Sequence, residues 1–174
     1  MNYEILGAVG KLGDVEEVIT KVKELSEKYH VNIQLFDADY IYGRDHLESA
    51  VMHAERAFCA KTNLAGDPSI EILLYASGER QIKQAIEKLG IKKGMREFGM
   101  VVYVPDMNDS RVDPADISAK VLKDLGAVRD DSKLEGGREV LERFGFTDAE
   151  IEGVSESRWG NLILSRVAMV DIIK

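Results

Sequence analysis

Three glycines near the N-terminus have a spacing that could serve phosphate chemistry. Gly7, Gly10 and Gly13 follow a short apolar stretch and precede a helical pattern, which is where a glycine-rich loop can cradle a phosphate. Their spacing is GxxGxxG, and the chain contains neither GxGxxG nor GxxxxGK[ST]. We therefore interpret these residues as turn glycines rather than as a nucleotide loop.

Paired carboxylates and paired histidines are the other groups that could support catalysis or metal binding. Asp37 and Asp39 follow a predicted strand, but no residues with metal-ligand spacing lie near them, which favours a role in the turn. His46 and His53 lie seven residues apart, or two helical turns, whereas chelating pairs are three or four residues apart. The sequence therefore predicts no metal site, no cofactor and no catalytic residue.

Composition restricts the class of protein further. The chain has 174 residues, of which 45% are hydrophobic and 31% charged, values that predict one folded domain over residues 1–174. The single cysteine, Cys59, cannot form an internal disulfide. Because the chain also shows no signal peptide and no apolar run of about 18 residues, we expect a cytoplasmic protein that does not contact membranes.

The stretch from Ser69 to Gly94 is expected to organise the fold. Its first half, Ile70–Ala76, is continuously apolar and predicts a buried strand. Its second half predicts a helix with a one-sided apolar stripe, capped by Ser77 and closed by a left-handed Gly90. This strand, turn and helix would place a polar edge at the turn, formed by Ser77, Glu79, Arg80 and Gln81.

The remaining patterns complete an α+β prediction. Further strands are expected at 3–9, 31–36 and 99–104, giving a small, mainly antiparallel or mixed sheet of about four strands surrounded by helices. The helix predicted from Asp45 to about Lys61 has a row of small or weakly polar residues beside its core face, namely His46, Ala50, His53 and Ala57. This row is either a contact surface or a packed face.

The last predicted helix, from about Ser157 to Ile173, is apolar on two sides. Its wide face holds Trp159, Leu162, Ile163, Val167, Met169, Val170 and Ile173, with Arg166 among them. Leu164, Ala168 and Ile172 lie on the opposite side. A terminal surface helix needs one apolar face, so the second face indicates either burial within the chain or a partner interface.

The charges are unevenly distributed along the chain. The net charge of −8 argues against a protein that coats duplex nucleic acid. The stretch from Lys61 to Arg96, however, contains seven basic and four acidic residues, whereas the rest of the chain contains 16 basic and 27 acidic residues. This stretch is either an ordinary solvated helix face or a basic contact region on an acidic body.

Two segments carry a resemblance to a known family. GRDHLESAVMHAERAF at 43–58 and SIEILLYASGERQIKQAIEKLGIKKG at 69–94 resemble the archaeal type of the small regulatory subunit of the KEOPS complex, whose eukaryotic counterpart is TPRKB. The resemblance extends to Leu125-Gly126-Ala127, to residues 131–135 and to Arg166-Val167-Ala168, so it spans nearly the whole chain. The element from Gly78 to Ile82 is its most specific part.

The resemblance implies a non-catalytic subunit of a tRNA-modifying complex. KEOPS installs threonylcarbamoyl groups on adenosine beside the anticodon, and its catalytic subunit is another chain. The family's small subunit binds the kinase-like ATPase subunit, contacts other KEOPS subunits only indirectly, and helps to recruit tRNA through its single-stranded 3′ CCA end. A short single strand suits an acidic protein with one basic region, because a few phosphate and stacking contacts suffice.

Site residues follow from the positions that match the family's motifs. The expected RNA-binding residues are Lys61, Asn63, Arg80 and Gln81, with His46 and His53 nearby as stacking or interface groups. The family's loop often carries another basic residue where this chain has Gly66-Asp67. The expected interface with the ATPase subunit consists of Trp159, Ile163, Arg166 and Val170.

Two alternatives to this function come from other classes. One is a purely structural, protein-binding adaptor that does not contact RNA. The other is a small-molecule enzyme built on the Gly7–Gly13 turn and the Asp37/Asp39 pair, which would lack a nucleophile, a metal set and a phosphate loop.

Overall fold

The computed structural model describes residues 2–105 and 111–173 of the chain. Within these residues it contains eight α-helices and one antiparallel sheet of four strands, which confirms the α+β prediction. The strands are β1 (Asn2–Val9), β2 (Asn32–Asp37), β3 (Glu97–Val104) and β4 (Val128–Arg129), in the order β2-β3-β1-β4. The helices are α1 (Val15–Tyr29), α2 (Arg44–Ala60), α3 (Pro68–Ser77), α4 (Ile82–Leu89), α5 (Pro114–Leu125), α6 (Arg138–Arg143), α7 (Asp148–Glu152) and α8 (Trp159–Ile173).

The sheet separates two hydrophobic clusters because successive side chains of a strand point to opposite faces. On one face, Ile5 of β1 and Val101 of β3 pack with α2, α3 and α8. On the other face, Leu6 and Met100 pack with α1 and α5. A third cluster joins α6, α7 and the first half of α8.

The predicted strand at 70–76 is wrong, because this segment is the buried helix α3. Asp67 caps its N-terminus by accepting a hydrogen bond from the Ser69 N–H at 2.7 Å, and Pro68 occupies the first turn. Gly78 ends the helix in the left-handed conformation, with φ of 72°. A continuous apolar run fits a buried helix as well as a buried strand, and these caps decide in favour of the helix.

The turn after α3 also differs from the prediction. Ser77 is the buried last residue of α3 and does not cap the next helix, which begins at Ile82 with Gln81 at its N-cap. Gly90 follows α4 with an extended backbone, φ −69° and ψ 165°, instead of a left-handed one. The segment is therefore a helical hairpin, and the sheet's fourth strand is the short β4, which the sequence pattern did not indicate.

Side-chain and glycine caps define several other helix ends. The Asp14 carboxylate accepts a hydrogen bond from the Glu17 N–H at the start of α1. Asp113 and Gly126 cap the two ends of α5, and Thr147 forms a complete capping box with Glu150 at α7. Local side-chain chemistry therefore defines these ends where tertiary packing does not override it.

Candidate functional site

The N-terminal glycines allow close packing and do not form a phosphate loop. Gly7 lies within β1, where its N–H donates to the Asp131 carboxylate at 3.1 Å and its carbonyl accepts from the Asp130 N–H at 2.8 Å. A Cβ at Gly7 would lie 2.5 Å from the Asp130 carbonyl oxygen, and one at Gly10 would lie 2.7 Å from the Ala127 Cα. Only glycine fits these two contacts.

The predicted turn role of Asp37 agrees with its contacts. Its carboxylate accepts a hydrogen bond from the Asp39 N–H at 3.0 Å and pairs with the Lys92 ammonium at 2.7 Å. Across residues 2–105 and 111–173, no group of three or more His, Cys, Asp or Glu side chains could hold a metal ion. The Asp37/Asp39 pair therefore has a structural explanation.

His46 is a core residue, which removes it from the expected RNA-binding set. Its ring is buried, with Nε2 2.7 Å from the Ala76 carbonyl oxygen and Nδ1 accepting from the Tyr42 N–H at 3.1 Å. Phe144 packs edge-on against it, with the ring centroids 5.6 Å apart. Burial lowers the pKa of His46 to about 4, so the ring is neutral at pH 7.

His53 joins three helices and is largely occupied by its neighbours. Its ring stacks on Tyr75 of α3 with centroids 5.2 Å apart, and its Nδ1 lies 2.8 Å from a carboxylate oxygen of Asp171 in α8. The Tyr75 hydroxyl donates to the other Asp171 oxygen. Burial and this hydrogen bond raise the pKa of Tyr75. His53 therefore holds the last turn of α8 against α2 and α3.

The other expected RNA contacts lie in the segments before and after α3. Lys61 is exposed in a left-handed conformation after α2, and the Asn63 amide donates to the Ala65 carbonyl at 2.8 Å. Arg80 and Gln81 are exposed in the turn between α3 and α4. The two pairs are thus separated along the chain by α3, a helix of about 15 Å.

A buried carboxylate that the sequence analysis did not identify holds the loop before α3. Glu71 is fully buried, and its oxygens accept hydrogen bonds from the Leu64 N–H at 3.0 Å and the Ala65 N–H at 2.7 Å. Such bonds offset the cost of burying the charge. Glu71 thereby orders the loop that carries Lys61 and Asn63. A lone acidic residue in an apolar run is the signal that could have revealed it.

Only part of the basic stretch faces solvent. The Lys88 ammonium lies 3.5 Å from a Glu79 carboxylate oxygen and 4.2 Å from the centroid of the Phe144 ring, and burial lowers its pKa. Lys92 pairs with Asp37 and lies over Tyr40. The exposed basic residues of the stretch are Lys61, Arg80, Lys83, Lys93 and Arg96.

The four residues expected at the ATPase interface contact their own chain. Ile163 and Val170 are completely buried, so they cannot form a partner surface of the folded protein. The Trp159 indole N–H donates to the Ile151 carbonyl at 3.2 Å, and Arg166 donates to the Phe144 carbonyl at 3.3 Å. The middle of the wide apolar face of α8 is therefore core, whereas Trp159 and Arg166 are half-buried and Met169 and Ile173 of the same face are exposed.

The opposite side of α8 is the apolar surface that remains exposed. Ile172 is 74% exposed, Leu164 and Ala168 on the same side are half-buried, and Met169 at the edge of the wide face is 43% exposed. We call these four residues the outer face of α8. The second apolar side expected from the sequence is thus present, whereas Ile163 and Val170 of the expected interface lie in the core.

A groove lies between α1, β2, α3 and α4. Its volume is about 400 Å³, and its apolar lining includes Ile19, Ile70, Leu73 and Ile86. Sequence reasoning missed it because a strand at 70–76 would not form this helical wall.

Comparison with known proteins identifies the family. No curated protein matches the chain. Within the residues that the structure describes, no helix is both long enough and apolar enough to cross a membrane. Residues 12–171, nearly the whole sequence, match the family described as kinase binding protein CGI-121, which is the family of the small KEOPS subunit. The chain therefore belongs to the CGI-121 family of kinase binding proteins.

Proposed function

We propose that this protein is a non-catalytic subunit of the KEOPS tRNA threonylcarbamoyladenosine-modification complex, acting in the cytoplasm. It binds the kinase-like ATPase subunit directly and contacts the other subunits only indirectly. It also recruits tRNA through the single-stranded 3′ CCA end. The match to a kinase-binding family over residues 12–171 is the observation that carries this proposal.

The outer face of α8 is the surface that best suits the kinase-like partner. A side chain as apolar and exposed as Ile172 gains free energy when a partner covers it, and Leu164, Ala168 and Met169 extend the same surface. The inner face of α8 packs in the core, and the His53–Asp171 contact holds its last turn. These contacts hold α8 in place while its outer face stays exposed.

Substitution of Ile172 by lysine tests this surface. Burying an isoleucine contributes about 1.5–3 kcal/mol, so Ile172→Lys should weaken binding of the kinase-like subunit by about tenfold or more in a calorimetric titration. Val128→Lys is the matched control, because Val128 is 72% exposed and lies in β4. Equal affinities for the two variants would contradict the proposed kinase surface.

The tRNA contact is proposed at the exposed polar groups around α3. Lys61 and Arg80 supply charge for phosphates, while Asn63 and Gln81 supply amides that can bond base edges. His53 of α2, which stacks on Tyr75 of α3, is proposed as a further contact group. The separation of about 15 Å between the ends of α3 corresponds to a few nucleotides of an extended strand.

A further inference from the structure

The groove between α1, β2, α3 and α4 runs along an edge of the sheet. Within residues 2–105 and 111–173, β2 pairs with β3 alone, so its other edge has no strand beside it. Residues 32–35 of β2 line the groove. The groove therefore presents peptide groups of a strand as well as apolar side chains.

The direction of these peptide groups follows from one hydrogen bond and from the alternation of an antiparallel strand. The Leu35 carbonyl accepts from the Gln34 side-chain amide at 2.8 Å, so it points away from β3. In an antiparallel strand, residues i and i+2 direct their N–H and C=O groups to the same edge. The main chains of Ile33 and Leu35 therefore both face the groove.

The two walls beside this edge are apolar. Ile19 and Val22 of α1 form one wall, and Ile70, Leu73 and Ile86 of α3 and α4 form the other. Ile19 is 53% exposed and Ile86 is 45% exposed. A strand laid along β2 would send alternate side chains toward the two walls, since successive side chains of a strand point to opposite faces.

The charges of the lining indicate which class of ligand fits. Lys23 and Asp67 are the charged side chains that line the groove, one of each sign. A nucleic-acid strand would bring phosphates to a lining with no excess of basic residues, which gains little electrostatic free energy. An uncharged extended peptide needs no counter-charge and bonds directly to the free edge.

We infer that this groove binds an extended, apolar peptide segment of a partner protein, which adds as a fifth strand beside β2. The incoming N–H and C=O groups pair with Ile33 and Leu35, and the Gln34 amide releases the Leu35 carbonyl to the peptide. The four lining residues of β2 span about 13 Å, enough to pair with a short segment. This inference goes beyond the proposed function and does not depend on it.

The test uses a blocked heptapeptide of alternating valine and threonine and the isotope-labelled full chain. Titration to about 1 mM, followed by NMR, should shift the amides of Ile33 and Leu35 and the methyl groups of Ile19 and Ile86. The same peptide with N-methylated amides cannot donate to the edge and should lose the shifts. No shift in the groove, or equal shifts with the N-methylated peptide, would overturn the inference.

Two variants on one helix give a matched comparison. Ile86→Lys places a charge in the groove and should weaken peptide binding by about tenfold or more. Ile82→Lys lies on the same helix, is similarly exposed at 43%, and is not part of the groove lining, so it should bind as the parent does. Equal loss in both variants would overturn the assignment to this groove.

A control titration with a nucleotide distinguishes this site from the proposed RNA contact. A CCA trinucleotide should leave the amides of Ile33 and Leu35 unshifted. Shifts of these amides by the trinucleotide but not by the peptide would overturn the peptide assignment and make the groove a nucleic-acid site. Failure of the peptide to bind, with tRNA binding intact, would refute this inference alone.

Discussion

At the scale of single residues, buried polar groups order the segments that carry the proposed contacts. Glu71 bonds the peptide N–H groups of Leu64 and Ala65, and His46 bonds the peptide groups of Tyr42 and Ala76. Each side chain therefore satisfies hydrogen-bonding groups of the main chain that lie outside its own helix. Their expected effect is therefore on stability and loop order rather than on direct binding.

Glu71→Ala should lower the free energy of unfolding by about 3 kcal/mol, because it leaves buried N–H groups without their charged acceptor. Urea denaturation measures this change. Glu87→Ala, at an exposed position of α4, is the control and should change stability by about 0.5 kcal/mol or less. Similar values for both variants would show that Glu71 does not hold the loop.

His46 should make stability depend on pH below 6.5. Its pKa is about 4 in the folded chain and near 6.5 when unfolded, so the unfolded state binds more protons between these values. Its contribution is complete above pH 6.5 and falls by about 3 kcal/mol as the pH drops to 4.

Parallel denaturation of the parent chain and of His46→Gln across pH 4–7 measures this contribution, since other titrating groups are common to both. The difference in stability between the two proteins should change with pH through this window. A constant difference would contradict the assignment of a buried, neutral His46.

Residue types predicted these roles only in part. The turn chemistry of Asp37 and the caps of α5 and α7 depend on neighbours in sequence, so they could be predicted. The burial of His46 depends on α3 and α6 packing over α2, which sequence spacing does not reveal. The burial of Glu71 likewise depends on tertiary packing that sequence spacing does not reveal.

At the scale of elements, α3 is the segment on which the prediction failed. Its residues from Glu71 to Ser77 are all buried, so no polar side shows the helical period. Apolar stretches of this length fit either structure, and the β-prone composition favoured a strand. The neighbouring α4 was predicted because it has one exposed side. Amphipathic elements were thus predictable, whereas the fully buried one was not.

Gly78→Ala tests the end of α3. Gly78 has φ of 72°, and a Cβ there costs about 1 kcal/mol even though the nearest atoms of Arg166 lie at an ordinary 3.5 Å. Gly66→Ala is the matched control, since Gly66 has no positive φ and no atom within 4 Å of an added Cβ. Equal unfolding free energies for both variants would contradict the left-handed cap.

At the scale of the whole molecule, α8 is a core element that also carries the proposed partner surface. Its inner face completes two hydrophobic clusters, and its outer face carries Ile172. The sequence predicted two apolar faces, but the choice of the buried one depends on where α2, α3 and α6 lie.

The proposed recruitment of tRNA is tested most directly by its dependence on the 3′ end. Intact tRNA and tRNA lacking CCA are titrated against the chain at one fixed salt concentration, because ionic strength changes such affinities strongly. Intact tRNA should bind more tightly, by about tenfold or more if even one stacked base is lost on truncation. Equal binding of the two RNAs would contradict recruitment through the 3′ CCA end.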